Sequence, residues 1–455
     1  MSRLTTYREH VGAILTLGLP LIGSHVAQFL VQVADTLMLG WYDVEVLAGE
    51  VLGSTLFFIL FIAGSGFAWA LTPLVAEAEG RGDTITARRA TRMSLWITGL
   101  YALAALPLLL LAEPLMIALG QDPALAAIAG EYLSIYGWGI FPALGVMVLK
   151  SHLSALERTR VVMWVTLLAV LVNALGNHVF IFGHWGAPEM GVRGAALASL
   201  LVQLTSLAGL VIYVQRATPE TALFRRFWKP DWEAFGAVFR LGWPIGVTTL
   251  TEVGLFAAAT FMMGWIGILD LAAHGIALQI VSLTFMIHVG LANTATIRAG
   301  RAIGRRDTAG LRDGALAAVA LSAAAVLLTV VIFLAVPGWL IGLFLSPEEP
   351  DRAQVIAIGR HLIAAAALFQ LVDATQVMAL GLLRGAKDTR VPMVYAVIAY
   401  WAVGLPCAYG LGFVAGWGGV GIWLGLAAGL AVAAVTMMAR FWRVILPRAA
   451  AGPAA

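Results

Sequence analysis

The sequence predicts an all-α integral membrane protein in which twelve transmembrane helices form two six-helix bundles. The composition, the spacing of the apolar runs and the placement of the basic residues lead to this fold class. Of the 455 residues, 61% are hydrophobic and only 12% are Asp, Glu, Lys or Arg, whereas an ordinary soluble domain carries about 25% charged residues. A single cysteine and the lack of low-complexity tracts outside the C-terminal tail exclude a disulfide scaffold and a disordered chain.

Twelve apolar runs have the length of a bilayer-crossing helix, which needs about 20 residues. Each run ends at charges, Gly or Pro. The first run is too long for the core of a signal peptide and no small-residue cleavage site follows it, so we expect it to be retained. The predicted spans are 11–39, 46–71, 93–112, 128–149, 161–182, 191–214, 241–265, 271–295, 314–336, 357–383, 391–414 and 418–439.

The basic residues determine the predicted orientation. Of the 28 Lys and Arg residues, 25 lie in the two termini and in every second connection between spans. The remaining connections hold only Arg193, Arg352 and Arg360. Because cytoplasmic loops are rich in Lys and Arg, we expect both termini in the cytoplasm, with the chain crossing the membrane twelve times.

An internal repeat divides the chain into two halves. At a shift of 224 residues, Leu17–Pro20 falls on Leu241–Pro244 and Gly80–Asp83 falls on Gly304–Asp307. The predicted organisation is an N-lobe of helices 1–6 (1–214), a cytoplasmic linker (215–239) and a C-lobe of helices 7–12 (240–455). Both halves start in the cytoplasm, so they are parallel repeats around a pseudo-two-fold axis along the membrane normal. Such halves commonly form a transporter with a central cavity, although an old duplication without a present role is the alternative.

Three acids lie deep inside predicted spans, namely Asp35, Glu252 and Asp373. A carboxylate at mid-span costs about 2.5–3.5 kcal/mol on insertion scales. In span 1, His25, Gln28, Gln32 and Asp35 share one helical face, which must face protein or water rather than lipid. The alternative is a hydrogen-bonded polar seam between helices without a role in transport.

Span 5 carries Asn173 and Asn177 one turn apart on one face. Their carbonyl oxygens can coordinate a cation, and their N–H groups can hold a carboxylate. Polar side chains of this kind also hold membrane helices together. The spacing of the two asparagines does not distinguish between cation binding, carboxylate binding and helix association.

In the second half, Gln370, Asp373 and Gln376 share a face of span 10, and Glu252 follows Thr248 in span 7. No Lys or Arg is expected inside a second-half span, so we do not expect Glu252 to form a permanent salt bridge. Instead, a bound proton or Na⁺ would neutralise these acids. If the protein bound this ion on one side of the membrane and released it on the other, transport would be coupled to the ion gradient.

Several motifs are absent from the sequence. It has no phosphate-binding loop, no paired-histidine metal motif and no nucleophile elbow. The chain is therefore predicted not to be an enzyme, to hold no cofactor or transition metal, and to bind no nucleic acid. Energy must come from an ion gradient, in which one charge moved across 100 mV is worth about 2.3 kcal/mol.

Two motifs and the openings of both halves resemble the multidrug and toxic compound extrusion (MATE) family. The stretch Leu382–Met393 looks like the loop after span 10 in that family, and Ala34–Gly40 resembles its first-span motif. Glu252 and Asp373 match the pattern of the NorM-like branch. The resemblance implies a V-shaped, monomeric protein of the bacterial inner membrane that exchanges amphipathic, often cationic, drugs for Na⁺ or H⁺.

The resemblance also implies roles for individual residues. The coupling cation would bind at Glu252 and Asp373 in the C-lobe. The N-lobe polar or proton cluster would comprise Asp35, Asn173 and Asn177, to which the shared face of span 1 adds Gln28 and Gln32. Phe369 stands where some relatives have a tyrosine, and Asn177 where some have an acid. Residues predicted to line the substrate cavity are Phe369, Gln370, Gln376 and Thr248.

Two other classes of protein are alternatives. A lipid-linked precursor flippase of a related fold handles anionic headgroups, so it would carry several arginines in its cavity, and no arginine is expected at mid-span here. A membrane-embedded enzyme would need a clustered nucleophile and base, or a metal set, which the scattered histidines and single cysteine do not supply. The mid-span acids also argue against a purely structural subunit.

Overall fold

The computed structural model describes residues 3–219, 222–348 and 350–451. Within this part of the chain the protein is helical, without strands. Twelve helices are long and apolar enough to cross a membrane, which confirms the predicted all-α membrane fold. These helices, called spans 1 to 12, are Tyr7–Tyr42, Glu45–Gly80, Thr84–Leu110, Pro123–Ala155, Thr159–Phe180, Val192–Ala217, Trp232–Ile266, Ile268–Gly304, Thr308–Ala335, Arg352–Gly385, Arg390–Val414 and Gly418–Ala451.

Most spans are longer than the apolar runs because polar residues extend the helices at their ends. Two short helices, Ala112–Ala118 and Pro337–Gly342, follow spans 3 and 9. Span 11 contains two wider π-helical segments, Ile398–Gly404 and Gly410–Val414. Segments of this kind interrupt the regular rotation of side chains and occur frequently at functional sites.

The two halves begin their third span with the same cap, as the repeat predicts. Asp83 Oδ1 accepts the backbone N–H of Thr86 at 2.9 Å, and Asp307 Oδ1 accepts that of Gly310 at 2.8 Å. Both bonds satisfy a backbone donor that the helix leaves unpaired. The hydroxyl and backbone N–H of Thr86 hold the pKa of Asp83 below its ordinary value.

The chain divides into two compact units, one comprising Gly23–Gly246 and the other comprising Met1–Ile22 with Val247–Ala455. Both division points lie inside a long helix, two residues after Pro20 in span 1 and two residues after Pro244 in span 7. They are 224 residues apart, which is the shift of the repeat. These units are not identical to the predicted lobes 1–214 and 240–455, and the lobe assignment stays a prediction.

In the unit Gly23–Gly246, the segment after span 6 is attached to span 3. Arg89 donates two hydrogen bonds to the carboxylate of Asp231, at 2.5 and 3.0 Å. These bonds hold the pKa of Asp231 below its ordinary value. Trp96 Nε1 donates to the carbonyl oxygen of Phe227 at 3.1 Å. These contacts attach the part of the predicted linker around Phe227 and Asp231 to span 3.

In the unit that contains Val247–Ala455, small residues bring spans 11 and 12 together. A Cβ added at Gly425 would lie 2.1 Å from the backbone nitrogen of Ala408, and one added at Gly429 would lie 2.6 Å from Cα of Gly404. Membrane helices associate through close backbone approach of this kind. The tight contact places Trp423 and Tyr400 in the buried core of the unit.

Candidate functional site

The first candidate site lies on span 10, where one helical face carries three buried acceptor oxygens. Gln370 and Gln376 are fully buried, and Asp373 is 2% exposed. Among the described residues, Gln370 Oε1, Asp373 Oδ1 and Gln376 Oε1 have no hydrogen-bond partner. Leaving such an atom unsatisfied costs about 1–3 kcal/mol. We call these three residues the acceptor face.

Neighbouring helices fix the orientation of the acceptor face. Gln370 Nε2 donates to the hydroxyl of Thr284 in span 8. Gln376 Nε2 donates to the hydroxyl of Tyr400 in span 11 at 2.7 Å. Since both amide nitrogens are used, both carbonyl oxygens remain available as acceptors. Oxygen ligands of this type suit a hard cation such as Na⁺, and a carboxylate also accepts a proton.

Glu252 completes this site from span 7. It interacts electrostatically with Asp373 and with Tyr400. Two carboxylates in a low-dielectric environment repel each other unless a positive charge or a proton lies between them. The structure thus brings together the two acids that the sequence predicted for the C-lobe, with Thr248 buried one turn before Glu252.

The expectation that no basic group would lie inside a second-half span was wrong. Arg384 belongs to the last turn of span 10, and it interacts electrostatically with Glu252. The helix continues to Gly385, beyond the apolar run that ended at residue 383. Side chains on a helix lean toward its N-terminus, and this direction agrees with the electrostatic interaction between Arg384 and Glu252.

Phe369, predicted to line the substrate cavity, is fully buried between two aromatic rings. Its ring centroid lies 5.8 Å from that of Phe256 and 5.4 Å from that of Trp423, both edge-on. Trp423 Nε1 donates to Nδ1 of His274 at 3.1 Å. The acceptor face is therefore supported by an aromatic cluster, and a role of Phe369 in drug contact stays a prediction.

The second candidate site lies in the other unit, around Asp35 of span 1. Asn173 Nδ2 donates to Asp35 Oδ1 at 2.7 Å, and Asn177 Nδ2 donates to the same oxygen at 2.6 Å. Both asparagines are fully buried. Of the roles that spacing left open, the structure shows the amides holding a carboxylate through their N–H groups. Gln28 and Gln32 are exposed on span 1 and lie outside these hydrogen bonds.

Sequence reasoning missed a second acid beside Asp35. Glu50 of span 2 is 6% exposed, hydrogen-bonds with Ser54 and Tyr132, and interacts electrostatically with Asp35. Its position near the start of span 2 made it look like a helix-end charge. The internal repeat could have indicated this position, because Glu50 aligns with His274 at the 224-residue shift and both residues are polar and buried.

Comparisons with known proteins agree with this architecture. The family model described as MatE matches residues 20–179 and 244–410. A probable multidrug resistance protein NorM from Rhizobium meliloti (strain 1021) is 47% identical over 453 residues, which is 99% of this chain and 97% of that protein. A protein of the same name from Agrobacterium fabrum (strain C58 / ATCC 33970) is 44% identical, over 95% of this chain and 94% of that protein.

Solved structures share the fold at lower identity. The eukaryotic MATE transporter AtDTX14 superposes with a TM-score of 0.84 at 18% identity, covering 98% of this chain and 99% of that chain. A MOP superfamily transporter from Pyrococcus furiosus superposes with a TM-score of 0.87 at 20% identity, covering 96% and 97%. At these identities the likeness establishes the fold alone.

Proposed function

The chain belongs to the MatE family, and from that premise we propose that it is a multidrug efflux antiporter driven by influx of Na⁺ or H⁺. Its substrates would be amphipathic organic compounds, often cationic. Its curated relatives are named multidrug resistance proteins. Membership of a family of transporters also confirms that the protein is not an enzyme.

The acceptor face and Glu252 support cation coupling most strongly. Three buried oxygens without donors lie on one face of span 10, and two carboxylates interact nearby. Burying these acceptor oxygens and carboxylates costs free energy unless a cation or a proton binds there for part of the cycle. A coupling cation meets that requirement, and so does a cationic drug.

In the proposed cycle, the coupling cation and the cationic drug compete for Glu252 and Asp373. In the outward-facing state, Glu252 and Asp373 take up H⁺ or Na⁺, which removes their attraction for a bound cationic drug. The drug leaves, the protein exposes the acids to the cytoplasm, the ion dissociates, and a new drug binds. Cation–π contact with nearby aromatic rings such as Phe256 would favour cationic aromatic substrates.

The distribution of basic residues supports the proposed orientation. With 25 of 28 Lys and Arg residues on one side, both termini would lie in the cytoplasm. The curated relatives compared above are bacterial, so the cytoplasmic membrane of a bacterium is the proposed location of this multi-pass protein. We propose that it functions as a monomer.

Drug efflux from proteoliposomes tests the proposal. The purified protein is reconstituted, and ethidium movement is followed first under an imposed pH gradient and then under an imposed Na⁺ gradient. At least one gradient is expected to drive ethidium against its own concentration gradient, and an ionophore that collapses that gradient should stop the movement. Ethidium movement that neither gradient accelerates would contradict the proposal.

A further inference from the structure

A group of basic side chains lies where span 3 begins and the segment after span 6 packs against it. All of them belong to the unit Gly23–Gly246, and the proposed transport cycle assigns them no role. Span 3 contributes arginines just before its predicted apolar run 93–112, and the predicted linker 215–239 contributes exposed basic residues. We call this group the basic patch, and it comprises Arg88, Arg92, Arg225, Arg226 and Lys229.

The acids beside the basic patch are already paired with another arginine. Among the described linker residues the acids are Asp231 and Glu233, and Arg89 donates to both. Arg92 interacts electrostatically with Asp231. Its interactions with Arg88 and Arg89 are repulsive, because the charges are alike. The basic patch therefore holds more positive charge than these two carboxylates balance, and a patch of this kind attracts anions.

Two guanidinium groups of the basic patch contain buried donors without an acceptor. Arg92 is 9% exposed, and its Nη1 donates to the carbonyl oxygens of Arg225 and Arg226 at 3.2 and 3.1 Å. In the described part of the chain, Nε of Arg88 and Nε of Arg92 have no hydrogen-bond partner. Burying a charged donor without an acceptor is costly. Since phosphate oxygens accept parallel N–H groups from one guanidinium, the unpaired donors favour a phosphate group as the ligand.

Exposed aromatic side chains beside the basic patch indicate that this phosphate belongs to a lipid. Trp228 and Trp232 are 73% and 70% exposed, and Lys229 lies between them in the linker. Tryptophans of membrane proteins are enriched at the level of the lipid headgroups, where the amphipathic ring meets both lipid and water. Clusters of Lys and Arg beside the end of a membrane span attract anionic lipids. Both features point to the membrane surface.

A cavity of about 230 Å³ borders the linker at the same place. Arg225 is the charged residue among the described residues that line it, and Val214, Leu223 and Phe224 give it apolar walls. A cavity with this lining suits an amphipathic molecule that carries a negative group at one end. Inorganic phosphate would leave the apolar walls without a partner, so the cavity also favours a lipid.

We propose that the basic patch binds the phosphate group of an anionic phospholipid at the membrane surface where span 3 begins. The guanidinium groups of Arg92, Arg225 and Arg226 hold the phosphate, and the neighbouring cavity takes up the apolar part of the lipid next to it. The bound lipid connects the linker with span 3. This binding depends neither on the transported compound nor on the coupling cation.

Binding of radiolabelled phosphatidylglycerol to the purified full chain in mixed detergent micelles tests the basic patch. The wild-type protein should bind this lipid at a lower mole fraction than phosphatidylcholine with the same acyl chains. A variant that combines Arg225→Gln with Arg226→Gln keeps both backbone carbonyls and should raise the half-saturating mole fraction about tenfold. The matched control combines Arg305→Gln with Arg306→Gln, an exposed pair in the other unit, and should bind the lipid like the wild type.

Three results would overturn the proposal. The first is an equal half-saturating mole fraction in the wild type and in the variant that combines Arg225→Gln with Arg226→Gln. The second is displacement of the lipid by inorganic phosphate at a concentration similar to that of unlabelled phosphatidylglycerol, which would assign the basic patch to free phosphate. If the variant does not fold, the wild type decides, because added NaCl should weaken binding of phosphatidylglycerol but not of phosphatidylcholine. Phosphatidylglycerol binding that is independent of salt is the third.

Discussion

Cation-driven ethidium efflux should collapse when Glu252 is replaced by Gln or Asp373 by Asn. Either change keeps the size of the side chain and removes the charge that attracts the coupling cation. A one-for-one exchange of cationic ethidium for a monovalent cation moves no net charge, so a tenfold gradient of the cation, worth about 1.4 kcal/mol, supports about a tenfold accumulation of drug. Both variants are expected to lose this accumulation in the proteoliposome assay.

Matched changes at exposed acids control for the loss of charge. Glu348→Gln and Asp351→Asn alter carboxylates on the surface near the start of span 10, and both variants should retain efflux at the wild-type level. If Glu252→Gln or Asp373→Asn expelled ethidium as well as these controls, the acid replaced in that variant would not take part in coupling.

Arg384→Gln is expected to make the coupling cation bind more tightly and leave more slowly. Arg384 interacts electrostatically with Glu252, so its positive charge competes with the cation. Removing that charge should lower the cation concentration at half-maximal efflux by about tenfold, equivalent to about 1.4 kcal/mol. Maximal turnover should fall as well, because the cation must dissociate in every cycle.

Two further variants make this prediction specific. Arg384→Lys keeps the charge and should restore most of the wild-type cation dependence, although a lysine does not reproduce the planar guanidinium. Arg443→Gln removes an exposed arginine at the C-terminal end of span 12 and should have no effect. An unchanged half-saturating concentration in Arg384→Gln would mean that this arginine has a purely structural role.

Much of the fold follows from the sequence because the membrane imposes strong constraints. A run of about 20 apolar residues has few alternatives to a helix in lipid, and the twelve predicted runs correspond to the twelve spans of the structure. The repeat also predicted local detail, since Asp83 and Asp307 cap equivalent helices.

The sites follow from the sequence only in part. Helical spacing placed Asn173 and Asn177 on one face, but which end of each amide faces Asp35 depends on side-chain rotation, which periodicity does not determine. Tyr400 was missed because it lies in a π-helical segment, where regular spacing fails. Arg384 was assigned to a loop, since hydropathy does not show that an arginine at the end of a helix interacts with an acid inside the membrane.

Equilibrium binding of radiolabelled tetraphenylphosphonium tests most directly whether drug and coupling cation compete for the same acids. Binding to the purified protein in detergent is measured while the pH is lowered or the Na⁺ concentration is raised. H⁺ or Na⁺ is expected to displace the drug from the wild-type protein. A variant that combines Glu252→Gln with Asp373→Asn is expected to bind the drug more weakly, with an affinity that neither cation changes. Drug binding to the wild type that is independent of both cations would contradict the proposed competition.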